Sequence, residues 1–395
     1  MKRCVAGYIV RFLGIVVAIV FCFGGSALAA KKTKEEVRAV WISYYEIEES
    51  LKAEDEATFK VKAGKLLDEL EERGINRVVF HVRSHADAFY PSRIFPWSKY
   101  ISGEQGRALD YDPLKIMIDE THAREMTFEA WINPYRIKQG SDSFDELSED
   151  SPAVRWLKKN SRKVRKYDDH GARIVFNPAY VEVRTLVVNG VKEIVKKYDV
   201  DAVSFDDHFY QTADPDFDAY EYNKYTKSVE ESDSKLSLAQ WRRKNVDILI
   251  KRVYKAIKKI KPNVKFGTSP GGNRQRNRDE VFIDTQKWCS SKGYIDFICP
   301  QIYFGFTNTA HPFDENLKEW VDDIKIDGVD LFVGLAAYKV GNEKDTGTSE
   351  SDEWVNDGIN TLKKQIKQIR SNSKCKGFYI FSLKSLLTFD EFPWN

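Results

Sequence analysis

Short apolar runs rich in Val, Ile, Phe and Tyr alternate along this 395-residue chain with longer stretches whose apolar residues recur at three and four spacing. Side chains repeat every two residues on a strand and about every 3.6 on a helix, so the short runs predict β-strands and the long ones amphipathic helices. Eight runs read as strands: Val37 to Tyr45, Ile75 to Arg83, Met126 to Arg136, Asp201 to Asp207, Val264 to Pro270, Ile295 to Phe304, Leu331 to Tyr338 and Gly377 to Leu383. Helical patterns such as "FKVKAGKLLDELEERG", "VEVRTLVVNGVKEIVKKY" and "WRRKNVDILIKRVYKAIKKI" fill the intervals.

Strict strand and helix alternation implies parallel strands joined by helical crossovers, and eight such units predict an α/β protein of the closed (β/α)₈ TIM-barrel class. An open doubly wound sheet is the competing topology. It calls for a glycine-rich turn after the first strand, and "WISYYEIEES" contains no glycine. No Pro/Gly/Ser-rich linker or internal repeat interrupts the series, so a single domain is expected. The polar, aromatic segment Gln211 to Leu238 reads as a long, mobile loop over the barrel mouth.

In such barrels chemistry gathers at the carboxyl ends of the strands. The run "VDAVSFDDHFY", Val200 to Tyr210, ends there on two aspartates. Strand parity turns the bulky Val203 and Phe205 toward the helices and sends Ser204 and Asp206 inward, while Asp207 falls on the other parity and is either catalytic or part of a structural network. The same sorting turns Val78, Phe80 and Val82 outward with His81 and Arg83 inward, and Phe128, Ala130 and Ile132 outward with Glu129, Trp131 and Asn133 inward. Gln301 and Tyr303 share one face, and in the fifth strand Ser269 follows Gly267 on the same parity. With Tyr135 of "NPYR" and His208 and Tyr210 of "FDDHFY", these residues predict a cleft of planar polar groups and aromatic faces, suited to a polyhydroxylated substrate.

The first residues change the picture of where the chain works. Basic Lys2, Arg3 and Arg11, an apolar core from Phe12 to Phe23 and the small residues Ala27 and Ala29 form a secretory signal pattern, with cleavage expected after Ala29. The expected organisation is a signal peptide over 1–29, a linker over 30–36 and the barrel over 37–395, in an extracytoplasmic protein of the cell envelope with no stable membrane insertion after cleavage. An uncleaved anchor is the alternative, although the apolar core is short for a span of about 20 residues. Loss of three basic and no acidic residues takes the formal charge from +2 to −1. That balance argues against nucleic acid as a partner, which requires a clustered basic face. Cys289, Cys299 and Cys375 remain, too few for a disulfide scaffold, so the fold must rest on its hydrophobic core.

In order and spacing, "VRAVWIS", "HVRSHADAFYPSRIFPWSKYISGEQG", "AWINPYR", "NPAYVEVR", "VDAVSFDDHFY", "VKFGTSP", "IDFICPQIYF" and "VGLAAYKV" resemble the glycosyl-hydrolase-like family 10 proteins, from about Val37 to Leu383. These are exported bacterial barrel proteins that include an enzyme cleaving peptidoglycan glycan strands stripped of their stem peptides. The resemblance implies a site formed by Asp206 and Asp207, His81 and Arg83, Asn133 and Arg136, and Gln301 and Tyr303. It also shows a departure: Glu129 stands before "AW" where relatives usually have histidine.

Glycosidic hydrolysis normally uses two carboxyl groups, one protonated as acid and one ionised. Asp206 is the expected acid/base, because a like charge beside it raises one of the two pKa values. For the second carboxylate, Glu129, Asp207 and Glu46 are candidates in that order, and a substrate acetamido group acting as internal nucleophile would replace it. No cofactor is expected. Two rival readings are a metal-dependent hydrolase or deacetylase built on His81, His85, Asp206, Asp207 and His208, and a non-catalytic glycan-binding barrel.

Overall fold

The computed structural model describes residues 36–140, 143–159, 161–168, 172–230, 234–347, 349–390 and 393–394. The expected signal peptide lies outside them. Residues Glu36 to Asn395 form one compact unit.

Eleven strands are present: β1 Val37–Ile42, β2 Arg77–Arg83, β3 Thr127–Ile132, β4 Arg136–Gln139, β5 Val164–Asp168, β6 Ala172–Phe176, β7 Ala202–Phe205, β8 Lys265–Thr268, β9 Phe297–Ile298, β10 Asp330–Ala336 and β11 Cys375–Phe381. Eight close a barrel in the order β1-β11-β10-β9-β8-β7-β3-β2, and every neighbouring pair is parallel. All eight runs read as strands in the sequence contribute one barrel strand, so the (β/α)₈ expectation holds. β4, β5 and β6 form a separate antiparallel sheet, in the order β4-β6-β5, between barrel strand β3 and its helix Val181–Lys197. The sequence reading missed this sheet.

The parity argument is visible in the packing. Val78, Phe80, Val82, Phe128, Ala130, Ile132, Val203 and Phe205 belong to the large core between barrel and helices. Ala39, Trp41, Val79, Ala202, Phe297, Cys299, Phe332 and Tyr379 fill the barrel interior as a second cluster. The helices are fixed at their ends by local chemistry. Asp112 caps Pro113–His122, whose first-turn proline needs no partner for an N–H, and Ser237 with Gln240 forms a capping box on Leu238–Ile260.

The segment Gln211 to Leu238 is not one long loop. It contains a 3₁₀ turn at Pro215–Phe217 and the helix Ala219–Ser228. Arg242 and Asp218, both fully buried, join it to the following helix, and Tyr222 and Tyr225 pack on Trp241. Tyr222 and Tyr225, three apart on the helix, are only half-buried, and Tyr220 is exposed.

Candidate active site

Asp206 follows immediately on the carboxyl end of β7 and is only 3% exposed. Its Oδ2 accepts hydrogen bonds from Trp131 Nε1 and Asn133 Nδ2, each at 3.1 Å, and its Oδ1 accepts from the His208 backbone N–H at 3.2 Å. Burial raises the carboxyl above its ordinary 3.8; the Asp207 charge pushes the same way, while His208 and Arg136 oppose it. Since two donors already occupy Oδ2, a proton on this carboxyl is carried by Oδ1.

Asp206 opens into a cleft of about 250 Å³, whose lining includes His81, Trp131, Arg136, Asp207, His208, Ser269, Gln301 and Tyr303. Asp207 reaches the cleft because the strand ends at Phe205, after which alternation no longer governs direction. Its Oδ1 lies 3.4 Å from Gln301 Nε2 and 3.9 Å from His208 Nε2. Gln301 also donates to the Ser269 carbonyl, and Ser269 Oγ donates to the Cys299 carbonyl. Asn133 stands behind the wall: its Oδ1 accepts from the Arg136 backbone N–H at 2.9 Å, so one amide fixes both Asp206 and the turn carrying Arg136. The Arg136 guanidinium donates to the Ser84 carbonyl and lies over the Tyr44 ring.

His81 is fully buried and stacks on Trp131, with ring centroids 3.6 Å apart and planes at 13°. Burial, aided by the charge of Arg136, holds its imidazole well below the ordinary 6.5, so the ring is neutral at pH 7. Neither ring nitrogen has a hydrogen-bond partner among the described residues. A neutral imidazole offers one donor and one acceptor nitrogen, directed to opposite sides of the ring.

Four expected site residues lie elsewhere. Arg83 does not face the cavity: β2 bulges, so that His81 opposes Trp131 but Arg83, not Val82, opposes Ile132. Its guanidinium lies over Phe95, against Gly190 on the helix Val181–Lys197. Glu129 has the expected inward parity but sits four residues, or about 13 Å of strand, below the level of Asn133. It accepts from Tyr379 Oη at 2.7 Å beside Arg77, deep in the barrel interior. Tyr135 is fully buried and packs edge-on against Phe209 in the outer core. Tyr210 packs on Phe282 and beside Arg242, away from the central cleft. The reserve candidate Glu46 is saturated by Ser43, Ser382 and the backbone N–H groups of Ser43 and Lys384, tying the first strand's turn to the last.

Trp41, Ser43, Tyr44, Tyr45, Gln139 and Phe381 also line the cleft and were missed. The aromatic "WISYY" at the end of the first strand was a usable signal; Gln139 arrives on β4, which the sequence did not reveal. The cleft adjoins two further cavities. One, of about 220 Å³, shares Gln139 with it, and the other, of about 280 Å³, shares Asp207 and His208. His81, Asp206, Asp207 and His208 of the alternative set line this one cleft, but among the described residues no three His, Cys, Asp or Glu side chains are arranged to hold a metal ion. No helix among them is long and apolar enough to cross a membrane.

A closed parallel barrel with a carboxylate pair and an aromatic wall at the carboxyl-end mouth has the architecture of the barrel glycoside hydrolases. The chain belongs to the glycosyl hydrolase-like 10 family, whose model matches residues 36–356, and it is a glycoside hydrolase. It is 38% identical to the glycosyl hydrolase YngK of Bacillus subtilis (strain 168), over 98% of this chain and 75% of that protein. It is 37% identical to the glycosyl hydrolase DigH of Escherichia coli (strain K12), over 76% of this chain and 70% of that one. Among solved structures, the PgaB (BpsB) glycoside hydrolase domain from Bordetella bronchiseptica shares the fold at a TM-score of 0.58 and 12% identity, covering 90% of this chain and 96% of that one. The catalytic domain of beta-amylase from Paenibacillus polymyxa does so at 0.56 and 11%, covering 89% and 93%.

Proposed function

We propose that this protein is exported and hydrolyses glycosidic bonds of a bacterial cell-wall polysaccharide, peptidoglycan glycan strands lacking stem peptides, with Asp206 as the acid/base. The observation that carries the reading is the state of Asp206: a buried carboxyl of raised pKa whose Oδ2 is filled by Trp131 and Asn133, leaving Oδ1 to carry a proton at the cleft. A glycosidic oxygen placed against Oδ1 takes that proton as its bond to the anomeric carbon breaks. Trp41, Tyr44, Trp131, Tyr303 and Phe381 supply apolar faces for sugar rings.

The carboxylates lining the cleft, among the described residues, are Asp206 and its chain neighbour Asp207. Glu129 and Glu46 are committed to internal networks, which favours a substrate-assisted route. The 2-acetamido oxygen of the substrate attacks the anomeric carbon, Asp207 accepts the acetamido N–H and steadies the positive charge that develops, and water then opens the cyclic intermediate with Asp206 as base. N-acetylated cell-wall sugars carry the necessary group. The two cavities adjoining the cleft suit a chain that continues past the scissile bond.

Incubation with purified peptide-free glycan strands, followed by mass spectrometry of the products, tests this reading. New reducing ends that persist in the presence of a chelator are expected. Retention of the strands without cleavage would overturn it in favour of a binding barrel, and chelator-sensitive cleavage would favour a metal hydrolase. Mass spectrometry of the mature N-terminus checks export, which predicts a chain starting at Ala30.

A further inference from the structure

The cavity beyond Gln139 contains an unusual group. Asp87 is 1% exposed; the Ser98 and Gln105 side chains and the His85 backbone N–H favour its charged form, yet its Oδ1 is buried with no hydrogen-bond partner among the described residues. Other buried carboxylates are well supplied: Glu46 takes two hydroxyls and two backbone N–H groups, Asp218 takes the Arg242 guanidinium, and Glu350 takes Lys339, Asn308 and the Gly305 N–H. An acceptor left open inside a protein costs free energy, and such groups persist where a ligand brings the donors.

The surroundings define the ligand. Lys99 and Lys138 both pair with Glu146, at 3.4 and 3.3 Å, and Lys138 also donates to the Ser143 carbonyl. The two cations are thus engaged, and together with Glu146 and Asp87 they leave the cavity without net charge, which gives an anionic ligand little to gain. What stays open is an acceptor, which calls for hydroxyl or amide N–H donors. One wall is aromatic: the rings of His85 and Tyr100 lie 5.4 Å apart at 27°, and Tyr44, 4.6 Å from Tyr100, carries the same surface into the central cleft. At about 220 Å³ the cavity falls below the roughly 300–1,000 Å³ of a drug-sized ligand site and is on the scale of one sugar ring.

We propose that this cavity is a second saccharide subsite, in which a neutral pyranose of the substrate chain lies on His85 and Tyr100 and donates hydroxyl or amide hydrogens to Asp87. The proposal rests on the polysaccharide reading above and adds to it that the strand is held at a sugar remote from the scissile bond. Binding there serves long substrates only, because a short glycoside filling the central cleft does not reach Asp87.

The test compares wild type, Asp87→Ala and Tyr100→Ala on peptide-free strands and on a short aryl glycoside. Each variant is expected to raise KM on strands by about tenfold, the value of one good hydrogen bond or ring contact, with kcat and aryl glycoside turnover little changed. An equal loss on both substrates would show a structural role and overturn the proposal, as would unaltered KM on strands. Strand binding to the inert Asp206→Asn protein, with and without Asp87→Ala, separates the two readings. If wild type binds but never cleaves, the hydrolytic reading fails while an approximately tenfold weaker Kd on adding Asp87→Ala still supports the subsite. An unchanged Kd refutes the subsite alone.

Discussion

Replacing Asp206 by asparagine separates the chemistry of this carboxyl from its part in the structure. The introduced amide can keep the hydrogen bonds from Trp131 Nε1 and Asn133 Nδ2 by turning its carbonyl oxygen toward them, but its NH₂ then faces the His208 N–H now bound to Oδ1. That leaves one backbone donor unpaired, a cost of about 1–3 kcal/mol. The substitution also removes a carboxylate whose charged form burial already disfavours, which offsets much of that cost. The melting temperature is therefore expected to move by only a few degrees. Activity on strands is expected to fall by about 10²- to 10⁴-fold, equivalent to about 2.7–5.5 kcal/mol of barrier, with strand binding retained. The pH profile supplies the sign: the acid works protonated, so wild-type activity falls as pH rises through the raised pKa of Asp206, and the variant lacks that alkaline limb. An aryl glycoside with an activated phenolic leaving group needs no protonation and should still turn over. Near-normal turnover of strands by Asp206→Asn, or a loss of stability that parallels the loss of activity, would refute the assignment and return the aspartate pair to a structural network.

Glu129→Gln should retain activity within a few-fold, because its carboxyl bonds Tyr379 beneath the cleft, whereas Asp207→Asn should lose at least about 10²-fold on strands; reducing-end kinetics on both variants decides. Gly190→Ala drives a methyl into Arg83 Nη1 and to within 2.8 Å of Phe95, so thermal melting should show a loss of about 1–3 kcal/mol, partly restored when Arg83→Met is added. Asp87→Asn addresses stability against pH. Burial pushes the Asp87 carboxyl from 3.8 up to about 6, so between those values the folded chain holds a proton that the unfolded chain has released, and wild-type stability falls as pH rises through this window. The variant should accordingly be more stable at pH 7 by up to about 3 kcal/mol, with the advantage fading toward pH 4 in denaturant titrations. A variant no more stable at pH 7 than wild type would show that Asp87 gains a compensating partner on folding.

The alternation of apolar runs by itself determined the eight barrel strands, because a parallel strand buried on both faces must be apolar along its length and a helix packed on one face must repeat every third or fourth residue. Parity placed Ser204, Asp206, His81 and Trp131 inside for the same reason, and the family blocks pointed to Asp207, Gln301 and Tyr303 at the mouth. Parity states which face a residue takes, and nothing more. It gave Glu129 the correct face, but only the barrel shows that it lies below the cleft, since height along the axis depends on the register between strands. A bulge at Val82 reversed Arg83, and a one-residue slip of this kind leaves no mark in a pattern of period two. The sheet β4-β6-β5 escaped notice because its strands are short and carry Arg, Lys and Gln among the apolar residues, yet it delivers Gln139, where the central cleft and the Asp87 cavity meet. Local periodicity is written in neighbouring residues and so is legible in the chain. The convergence of Asp206, His81, Gln139 and Gln301 joins residues up to 220 positions apart, and only closure of the barrel decides that they share one cleft.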